Sequence, residues 1–353
     1  MSRIKICYHT PSFSSFARKD IEILESKFRV SSFLFNPSKK WMTPFWFIAQ
    51  AAFILRNLNC KVHVCQFGGY HSFLPSILSK FFQKKCVIVV GGTDCVSFPE
   101  IGYGNFHKPI LGTLTCLSYR FASAIVAVDE SLIESENTYS NEHSKFQGIK
   151  NHCKNLKTEF KVIYNGYSGE FWKKTANTAL QGDIISVSAG INEKRRFVLK
   201  GIDLLVELAK RNPALKISLV GGTALPRDVE VPSNITLIGA CNAEQLRDLF
   251  SNHTYYAQLS ISEGFPNAIC EAMLCGCIPL GSYVAAIPKI IGSEGYILEN
   301  RSIEDLENLL NKIIPMNKKE LNPRQQIINH FTFEKRQMEF LSFIDKLSSN
   351  TSI

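Results

Sequence analysis

The stretch "SEGFPNAICEAMLCGCIPLGS", residues 262–282, carries two glutamates eight positions apart, Glu263 and Glu271. Between them, Gly264 permits backbone angles that are closed to other residues. Pro266 suits the first turn of a helix, where its missing N–H costs nothing. The pattern therefore predicts a loop that turns into a helix between the two carboxylates.

The predicted helix covers residues 268–275 and ends at Gly276. Glu263 then lies in the loop before the helix, and Glu271 lies more than a turn inside it. Free N–H groups and the helix dipole at the helix N-terminus favour an anionic or hydroxyl-rich ligand. A capped surface helix with a solvated glutamate is the alternative, and the spacing alone does not decide between them.

Length and composition indicate a globular protein of about two domains, with 353 residues and 45% hydrophobic residues. The apolar run 41–55 is too short to span a membrane, and it is predicted to be a buried helix. A helix that rests on a membrane interface or guides a lipid-linked acceptor is the alternative. The sequence shows no evident signal peptide. The eleven cysteines are odd in number and scattered, which is typical of reduced core residues in a cytosolic protein. Cys275 and Cys277 are too close for usual zinc spacing, so no metal site is expected.

Net charge is concentrated in the first half of the chain. Residues 1–170 carry 20 Lys and Arg against 12 Asp and Glu, a balance of +8, whereas residues 171–353 carry 20 against 19, a balance of +1. A basic surface attracts acidic partners such as phosphorylated lipids, anionic membrane or nucleic acid. A role in solubility alone is the alternative.

Short β-branched runs alternate with helical patterns, which predicts two series of βαβ units and parallel sheets covered on both faces. The predicted strands are 3–8, 29–35, 61–67, 86–90, 124–128, 183–189, 215–220, 235–239 and 256–260. Polar residues 138–158 interrupt the rhythm as a loop or insertion, and the turns at Asn165-Gly166 and Ser168-Gly169 mark a domain exchange. Ligands of such sheets bind beyond the carboxyl ends of the strands, so a cleft between the domains is the expected site.

Several nucleotide-binding patterns are absent from the sequence. No G-x-G-x-x-G follows the first strand, no P-loop occurs, and no Asp-x-Asp pair ends a strand. A diphosphate would therefore be neutralised by side chains and helix N-termini. Lys200-Gly201 precedes a helix that Asp203 can cap, which brings an ammonium group and free N–H groups together. Arg195 and Arg196 lie on the same loop, and a solvated basic loop is the alternative.

With these motifs in place, the chain resembles the retaining family-four glycosyltransferases of the GT-B fold, the glycosyltransferase group 1 type. The resemblance is strongest over residues 161–298, where "VIYNGYSGEFW" is similar to the interdomain turn, "LKGIDLLVELA" to the phosphate loop and "SEGFPNAICEAMLCGCIPLGS" to the Glu-x7-Glu donor motif. It implies two doubly wound Rossmann-like domains facing across a cleft. The expected domains are 1–167 for the acceptor and 168–331 for the nucleotide-sugar, with a C-terminal helix at about 332–353 returning to the first.

The resemblance also implies roles for individual residues. Glu271 would bind the donor ribose hydroxyls, and Glu263 with the backbone of Gly264, Phe265, Pro266 and Asn267 would hold the transferred sugar. Lys200 would stabilise the departing diphosphate.

One candidate residue departs from the family pattern, and two further candidates lie in the first domain. The family places its phosphate-binding arginine directly after the strand, where this chain has Gly190 and Ile191, so Arg196 is predicted to take that role. Asp94 follows the fourth strand, where the family tends to carry a residue that faces the reacting sugar, so it is predicted to be catalytic together with Lys200 and Glu263. A turn-forming aspartate is the alternative for Asp94. His71 is a lower candidate, since lone histidines are often structural.

The resemblance predicts a cytoplasmic, metal-independent retaining glycosyltransferase with no cofactor. Its expected partners are a nucleotide-sugar, a glycan or lipid-linked acceptor in lipopolysaccharide or capsule-type polysaccharide assembly, and an anionic membrane surface, with no nucleic acid. A GT-B epimerase or phosphorylase, or an inactive GT-B subunit that binds a glycan, is the alternative.

Overall fold

The computed structural model describes residues 3–175, 182–315 and 320–349. Their strands are β1 Lys5–Thr10, β2 Arg29–Leu34, β3 Val62–Gln66, β4 Lys85–Val90, β5 Ser97–Phe98, β6 Tyr103–Gly104, β7 Ala124–Ala127, β8 Ser135–Glu136, β9 Phe146–Gln147, β10 Glu159–Val162, β11 Gly182–Val187, β12 Ile217–Val220, β13 Ile235–Ile238, β14 His253–Gln258, β15 Ile278–Ser282 and β16 Tyr296–Leu298. Their helices are α1 Ser15–Glu25, α2 Thr43–Arg56, α3 Tyr70–Phe81, α4 Pro109–Phe121, α5 Ile149–His152, α6 Lys194–Leu199, α7 Ile202–Arg211, α8 Ala243–Ser251, α9 Asn267–Leu274, α10 Ile287–Ile291, α11 Ile303–Ile313, α12 Pro323–His330 and α13 Phe333–Ser349.

The chain divides into two compact units. Unit 1 comprises residues 1–135, 146–164 and 334–353, and unit 2 comprises residues 136–145 and 165–333. The polar stretch that interrupts the strand rhythm thus contributes its first eight residues, 138–145, to unit 2. The main exchange between units falls at residues 164–165, close to the Asn-Gly turn.

Unit 1 is built on a parallel sheet in the order β10-β7-β4-β3-β1-β2. Side chains alternate between its faces, so His9 lies on one face and Tyr8 on the other. Gln50 of α2 forms a hydrogen bond with His9, whereas the charges of Asp20 and Arg336 influence the pKa of Tyr8. Helix α2 therefore covers one face of this sheet, and α1 with α13 covers the other.

Unit 2 is built on a second parallel sheet, in the order β13-β12-β11-β14-β15-β16. The order reverses direction between β11 and β14, which is the doubly wound arrangement. The prediction of two Rossmann-like parallel sheets is confirmed. Two strands of this sheet were not predicted: β15, whose Pro279 and Gly281 disfavour strands, and β16, which has only three residues.

Helix α2 differs from its prediction as a buried helix. Its outer side leaves Trp41 65%, Phe45 62%, Ile48 67% and Leu55 53% exposed. The run is apolar around most of the helix, so its pattern does not indicate which side has a partner. None of the helices in the described ranges is both long and apolar enough to cross a membrane.

The cysteines differ from their prediction in one pair. Cys116 of α4 and Cys153 form a disulfide, with their Cα atoms 5.5 Å apart. The other cysteines are free thiols, and all except Cys241 are buried. The disulfide joins residues 37 positions apart, a proximity that depends on tertiary packing and leaves no local pattern in the sequence.

Helix α13 is fixed to unit 1 by a buried ion pair. Arg336 Nη2 lies 2.6 Å from Asp20 Oδ1 of α1, and the two side chains are 7% and 1% exposed. Arg336 Nη1 also donates to the carbonyl oxygens of Ile163 and Tyr164. The C-terminal helix therefore packs on the first unit, and the last residues of its predicted range, 350–353, lie outside the described residues.

Replacing Arg336 with alanine is expected to destabilise the protein by about 3–5 kcal/mol, because the Asp20 carboxylate would remain buried without its cation. Lys27→Ala is the matched control, since Lys27 pairs with Asp345 of the same helix but both side chains are about half exposed. Its expected cost is about 0–1 kcal/mol. Urea unfolding monitored by circular dichroism measures both, and equal costs would contradict the assigned role of the buried pair.

Candidate functional site

The reversal of strand order in unit 2 brings two loops together. The connections that leave β11 and β14 run in opposite directions from neighbouring strands, so a crevice forms beyond their carboxyl ends. Residues 188–193 follow β11, and residues 259–266 follow β14. The second loop contains Glu263 and leads into α9.

A glycine allows the helix junction before α7 to approach this crevice. Gly201 has a φ of +68°, and a Cβ at this position would lie 2.2 Å from the carbonyl oxygen of Leu259. The Ile261 N–H also donates to the Leu199 carbonyl at 2.9 Å. Only glycine fits this conformation and this contact, which explains why Lys200 is followed by Gly201.

Lys200 and Glu263 meet at the crevice. The Lys200 Nζ atom lies 2.5 Å from Glu263 Oε1, and the two side chains are 29% and 11% exposed. The same Oε1 atom accepts bonds from Ser260 Oγ at 2.7 Å and Gln258 Nε2 at 3.0 Å. All three of these donors use one oxygen of Glu263, so the Oε2 atom remains the better placed of the two to accept from a ligand hydroxyl.

The loop between Glu263 and α9 is held by aromatic packing. The Phe265 ring is 3% exposed and stacks on Tyr167, with their centroids 6.4 Å apart. Tyr167 OH donates to Asn267 Oδ1 at 2.7 Å. The side chains of Phe265 and Asn267 thus shape the loop, and its backbone N–H groups remain the natural contacts for a ligand.

Helix α9 begins at Asn267, one residue before the predicted start, and ends at Leu274. Gly276 follows with a φ of +91°, as expected for a helix stop. Glu271 is half-buried on this helix. Burial raises the pKa of the Tyr256 hydroxyl well above its usual value, and the charges of Glu263 and Glu271 add to the effect. Both predicted donor-binding carboxylates therefore act on one buried tyrosine between them.

Arg196 lies in helix α6, and its side chain folds back over the turn that follows β11. Its Nη1 atom donates to the Ala189 carbonyl at 3.1 Å, and a Cβ on Gly190 would lie 2.8 Å from its Cδ atom. The arginine is six positions beyond Gly190 in sequence, but its side chain covers that glycine. Both arginines also lie near Glu193 Oε2, Arg195 at 3.8 Å and Arg196 at 3.5 Å.

Asp203 differs from its predicted role as a helix cap. Gly201 occupies the N-cap position of α7, and Asp203 forms an ion pair with Arg301. Burial raises the pKa of Asp203, and the Arg301 charge opposes this shift. No sequence pattern indicates Arg301, because it lies 98 residues further along the chain.

Unit 1 contains a cavity of about 380 Å³. It lies beyond the carboxyl ends of β1 and β3, where the strand order of this sheet reverses. The lining residues include Phe35, Pro37, Gly68, His71, Asp94 and Asn105. The sequence candidates Asp94 and His71 thus meet at one cavity, whereas Lys200 and Glu263 belong to the other unit.

Asp94 is 2% exposed and is surrounded by donors. Its Oδ2 atom accepts from the Gly68 N–H at 2.8 Å and from Tyr119 OH at 3.0 Å. Its Oδ1 atom accepts from the N–H groups of Gly91 and Gly92. Burial raises the pKa of Asp94, and these hydrogen bonds counteract the rise. The carboxylate therefore anchors two loops that form the cavity.

His71 is a neutral imidazole in this structure. Its Nε2 atom donates to the Gln66 carbonyl at 2.8 Å, and burial lowers its pKa to about 4. Two further buried histidines, His9 and His63, form a chain of hydrogen bonds with Gln50. The Gln50 amide donates to His9 Nδ1, which leaves His9 Nε2 to donate to His63 Nδ1 at 3.0 Å. Burial also lowers the pKa of His63 to about 4.

Among the described residues, one group could hold a metal ion. Ligand atoms of Cys7, Cys60 and His63, all buried, lie within 4.8 Å of one another. Cys60 Sγ donates to the Val62 carbonyl at 2.9 Å, and His63 Nδ1 already accepts from His9. The group lies in unit 1 and supplies none of the residues that line the cavity.

Sequence reasoning missed the residues that orient the predicted ones. Gln258 and Ser260 lie two positions apart at the end of β14 and bond each other as well as Glu263. Arg324 donates to the carbonyl oxygens of Leu274 and Trp172, so it holds the C-terminal end of α9. The alternation of Gln258 and Ser260 along a strand is a usable signal, whereas Arg324 had none.

Comparison with known proteins relates these motifs to a known protein family. Residues 183–330 match the family model described as glycosyl transferases group 1. This matched part, which holds Lys200, Glu263 and Glu271 on a doubly wound sheet, is similar to the group 1 glycosyl transferases.

Curated relatives are more distant. A serotype-specific mannosyltransferase, WbdA of Escherichia coli, is 24% identical over 225 residues, which are 61% of this chain and 27% of that protein. One subunit of the human phosphatidylinositol N-acetylglucosaminyltransferase is 28% identical over 127 residues, which are 33% of this chain and 26% of that protein. The matched region thus spans about a quarter of the length of these relatives.

Solved structures share the fold across nearly the whole chain. A sucrose-phosphate synthase from Thermosynechococcus elongatus has a TM-score of 0.75 at 14% identity, covering 98% of this chain and all of that one. Anabaena HepE, solved in complex with UDP-glucose, has a TM-score of 0.70 at 15% identity and covers 97% of this chain and all of that one. At such identities the likeness establishes the fold alone.

The anchoring role of Asp94 predicts a loss of stability in Asp94→Asn. An amide keeps the shape but cannot accept at both positions, so we expect a cost of about 2–4 kcal/mol. Tyr119→Phe removes one of the four donors and should cost about 1 kcal/mol. Chemical denaturation measures both variants, and an Asp94→Asn variant as stable as the parent would show that the carboxylate does not anchor the loops.

Proposed function

We propose that this protein is a retaining glycosyltransferase that moves a sugar from a nucleotide-sugar donor to a glycan or lipid-linked acceptor. The observation that carries the proposal is the contact between Lys200 and Glu263 at the switch point of unit 2, beside the N-terminus of α9. A cation, a carboxylate and the N–H groups of a helix N-terminus converge there, and a nucleotide-sugar needs partners for phosphates and for hydroxyls.

Each side chain of the site has a proposed task on the donor. Glu271 accepts bonds from the ribose hydroxyls. Glu263 accepts from a hydroxyl of the transferred sugar through Oε2, since its Oε1 atom is bonded to Lys200, Ser260 and Gln258. Lys200 and Arg196 face the diphosphate. The position of Arg196 supports this role, because its side chain covers the turn after β11. The chain has Gly190 and Ile191 in that turn, and neither can neutralise a phosphate.

The chemistry follows from the position of Lys200. The bond between the anomeric carbon and the diphosphate oxygen breaks, and an acceptor hydroxyl oxygen bonds the same carbon with retention of configuration while its proton passes to the departing diphosphate. Negative charge grows on the departing oxygen during this step, so a nearby cation stabilises the transition state more than the bound donor. Lys200 is partly buried, which strengthens its interaction with that charge.

The cavity of unit 1 is the proposed acceptor site. Its volume of about 380 Å³ suits a small part of a glycan, and its walls combine aromatic and polar groups. Asp94 is predicted from the sequence to be catalytic, but four N–H and O–H donors of the protein already bond its carboxylate. A positioning role for Asp94, holding the two glycine-containing loops of the cavity, is better supported.

The proposed setting is the assembly of lipopolysaccharide or another surface polysaccharide, at the cytoplasmic side of a membrane. The serotype-specific mannosyltransferase among the relatives supports this setting, and it makes GDP-mannose a donor to test beside UDP-glucose. Protein cations rather than a divalent metal are proposed to neutralise the diphosphate. Turnover should therefore survive EDTA, and a loss that magnesium or manganese restores would contradict this part.

Donor binding provides the first test. Glu271→Ala should weaken binding of the matching nucleoside diphosphate on the order of tenfold to a hundredfold, because hydrogen bonds from ribose hydroxyls to a carboxylate are lost. Glu244→Ala, an exposed glutamate in the first turn of α8, is the control and should leave affinity unchanged. Calorimetry with UDP and GDP measures both. Equal affinity in Glu271→Ala and the parent would remove Glu271 from the site.

Product analysis distinguishes the alternatives. Purified protein with a panel of nucleotide-sugars should release nucleoside diphosphate slowly, with water as a poor acceptor. Interconversion of intact nucleotide-sugars would identify an epimerase, and a requirement for inorganic phosphate would identify a phosphorylase. Binding without any turnover would identify an inactive glycan-binding protein, and each of these three results would overturn the transferase proposal.

A further inference from the structure

The outer face of α2 is an exposed apolar stripe. We define this α2 outer face as Trp41, Phe45, Ile48, Leu55 and Leu58, whose exposed fractions are 65%, 62%, 67%, 53% and 42%. Phe45, Ile48 and Leu55 follow helical spacing of three and seven positions, so they share one side of α2, and Trp41 lies in the 3₁₀ turn just before the helix. The Trp41 and Phe45 rings are in edge contact, with centroids 6.2 Å apart.

The opposite side of α2 is packed against unit 1. Trp46 contacts the rings of Phe33 and Phe35, Phe47 contacts Phe35, and Phe53 contacts Phe33. The buried Gln50 side chain bonds His9 of the sheet. The helix is therefore held firmly by its inner side, and its outer face is a surface of the folded unit.

The size of the α2 outer face indicates a function. Side chains of this kind have areas on the order of 150–250 Å², so their exposed parts amount to roughly 500 Å². This area equals the largest apolar patch of a typical monomer, which is often functional at about 300–600 Å². A stable dimer buries about 800 Å² on each partner, which is more than this stripe offers.

Charge around the helix selects the partner. Residues 37–61 contain Lys39, Lys40, Arg56 and Lys61 and no acidic residue. Lys39, Arg56 and Lys61 are exposed. An apolar stripe flanked by cations suits an anionic lipid surface, where apolar side chains enter the boundary below the headgroups and cations meet phosphate.

We propose that the α2 outer face docks this protein on the surface of an anionic lipid bilayer, with the helix axis in the plane of the membrane. Fourteen residues give α2 a length of about 21 Å along that surface. The tryptophan and phenylalanine at its N-terminal end suit the headgroup level. The docked helix lies on the membrane and does not cross it.

This docking deepens the proposed use of a lipid-linked acceptor, and that part rests on the proposed function. Phe35 packs on Trp46 and Phe47 of α2 and also lines the unit 1 cavity. Asn36 and Pro37, which lead towards α2, line it as well. The wall of the cavity is thus continuous with the inner side of the docked helix, within reach of a polar head attached to a lipid.

Vesicle flotation of the full chain tests the docking. Vesicles of phosphatidylcholine alone are compared with vesicles that also contain phosphatidylglycerol, without any donor or acceptor present. Binding should be stronger to the anionic vesicles and should fall as salt rises. Phe45→Glu and Ile48→Glu should each lower the ratio of bound to free protein roughly tenfold or more. Each variant loses the favourable transfer of an apolar side chain from water into the membrane interface and must place a charge there instead.

Met338→Glu is the matched control. Met338 is 65% exposed on α13, on the other face of the unit 1 sheet, and the substitution changes net charge equally. It should bind vesicles as the parent does. All three positions are exposed, so their melting temperatures should agree, which separates docking from folding.

Three results would overturn the docking surface. The first is a parent protein that does not float with anionic vesicles. The second is an Ile48→Glu variant that binds these vesicles as strongly as Met338→Glu does. The third is a dimer in solution that Ile48→Glu dissociates, which would make a second copy of the chain the occupant of the stripe. The measurement uses no nucleotide-sugar, so its failure leaves the transferase proposal standing, and a failed donor assay leaves the docking standing.

Discussion

Parallel pairing of the strands is the constraint on which both candidate sites depend. Every strand of the two six-stranded sheets runs in the same direction as its neighbours, so all the loops at the carboxyl ends of one sheet gather at one edge. The strand order reverses once in each sheet, and the loops on either side of the reversal part to leave a crevice. In unit 2 this crevice holds Lys200 and Glu263, and in unit 1 it becomes the cavity with Asp94.

Within these crevices, a few close contacts determine the chemistry. The missing side chain of Gly201 lets the α6–α7 junction lie against Leu259, and this contact places Lys200 beside Glu263. Ser260 and Gln258 then fix the carboxylate from the other side. A partly buried ion pair of this kind contributes little net stability, because desolvation offsets its attraction. Its proposed role is to hold a cation where a diphosphate can share it.

Much of the fold was predictable because parallel strands buried on both faces leave short β-branched runs in the sequence. Helix α9 was predictable because Gly264, Pro266 and Gly276 mark its ends. The orientation of α2 was not, since a run that is apolar around most of the helix does not show which side lacks a partner. The Asp203–Arg301 pair and the Cys116–Cys153 disulfide join distant positions, and no local pattern records such contacts.

The position of the Arg196 side chain over Gly190 is another contact that the sequence does not indicate. In sequence the arginine stands six positions from the place where the family carries its phosphate-binding residue. In space its side chain lies on that turn. A helix of one and a half turns, α6, brings it back. Distance along the chain is therefore a poor guide to which cation faces the ligand, whereas the position of a turn beyond a strand is a good one.

The turnover of Lys200→Ala tests the central claim most directly. With the donor identified, kcat should fall on the order of 10²- to 10³-fold while donor affinity changes far less, because the cation acts chiefly on the departing oxygen. Lys200→Arg should recover part of the rate. Lys194→Ala removes an exposed lysine at the start of α6 that pairs with Asp228, and this variant should turn over as the parent does. A near-normal kcat in Lys200→Ala would contradict the account.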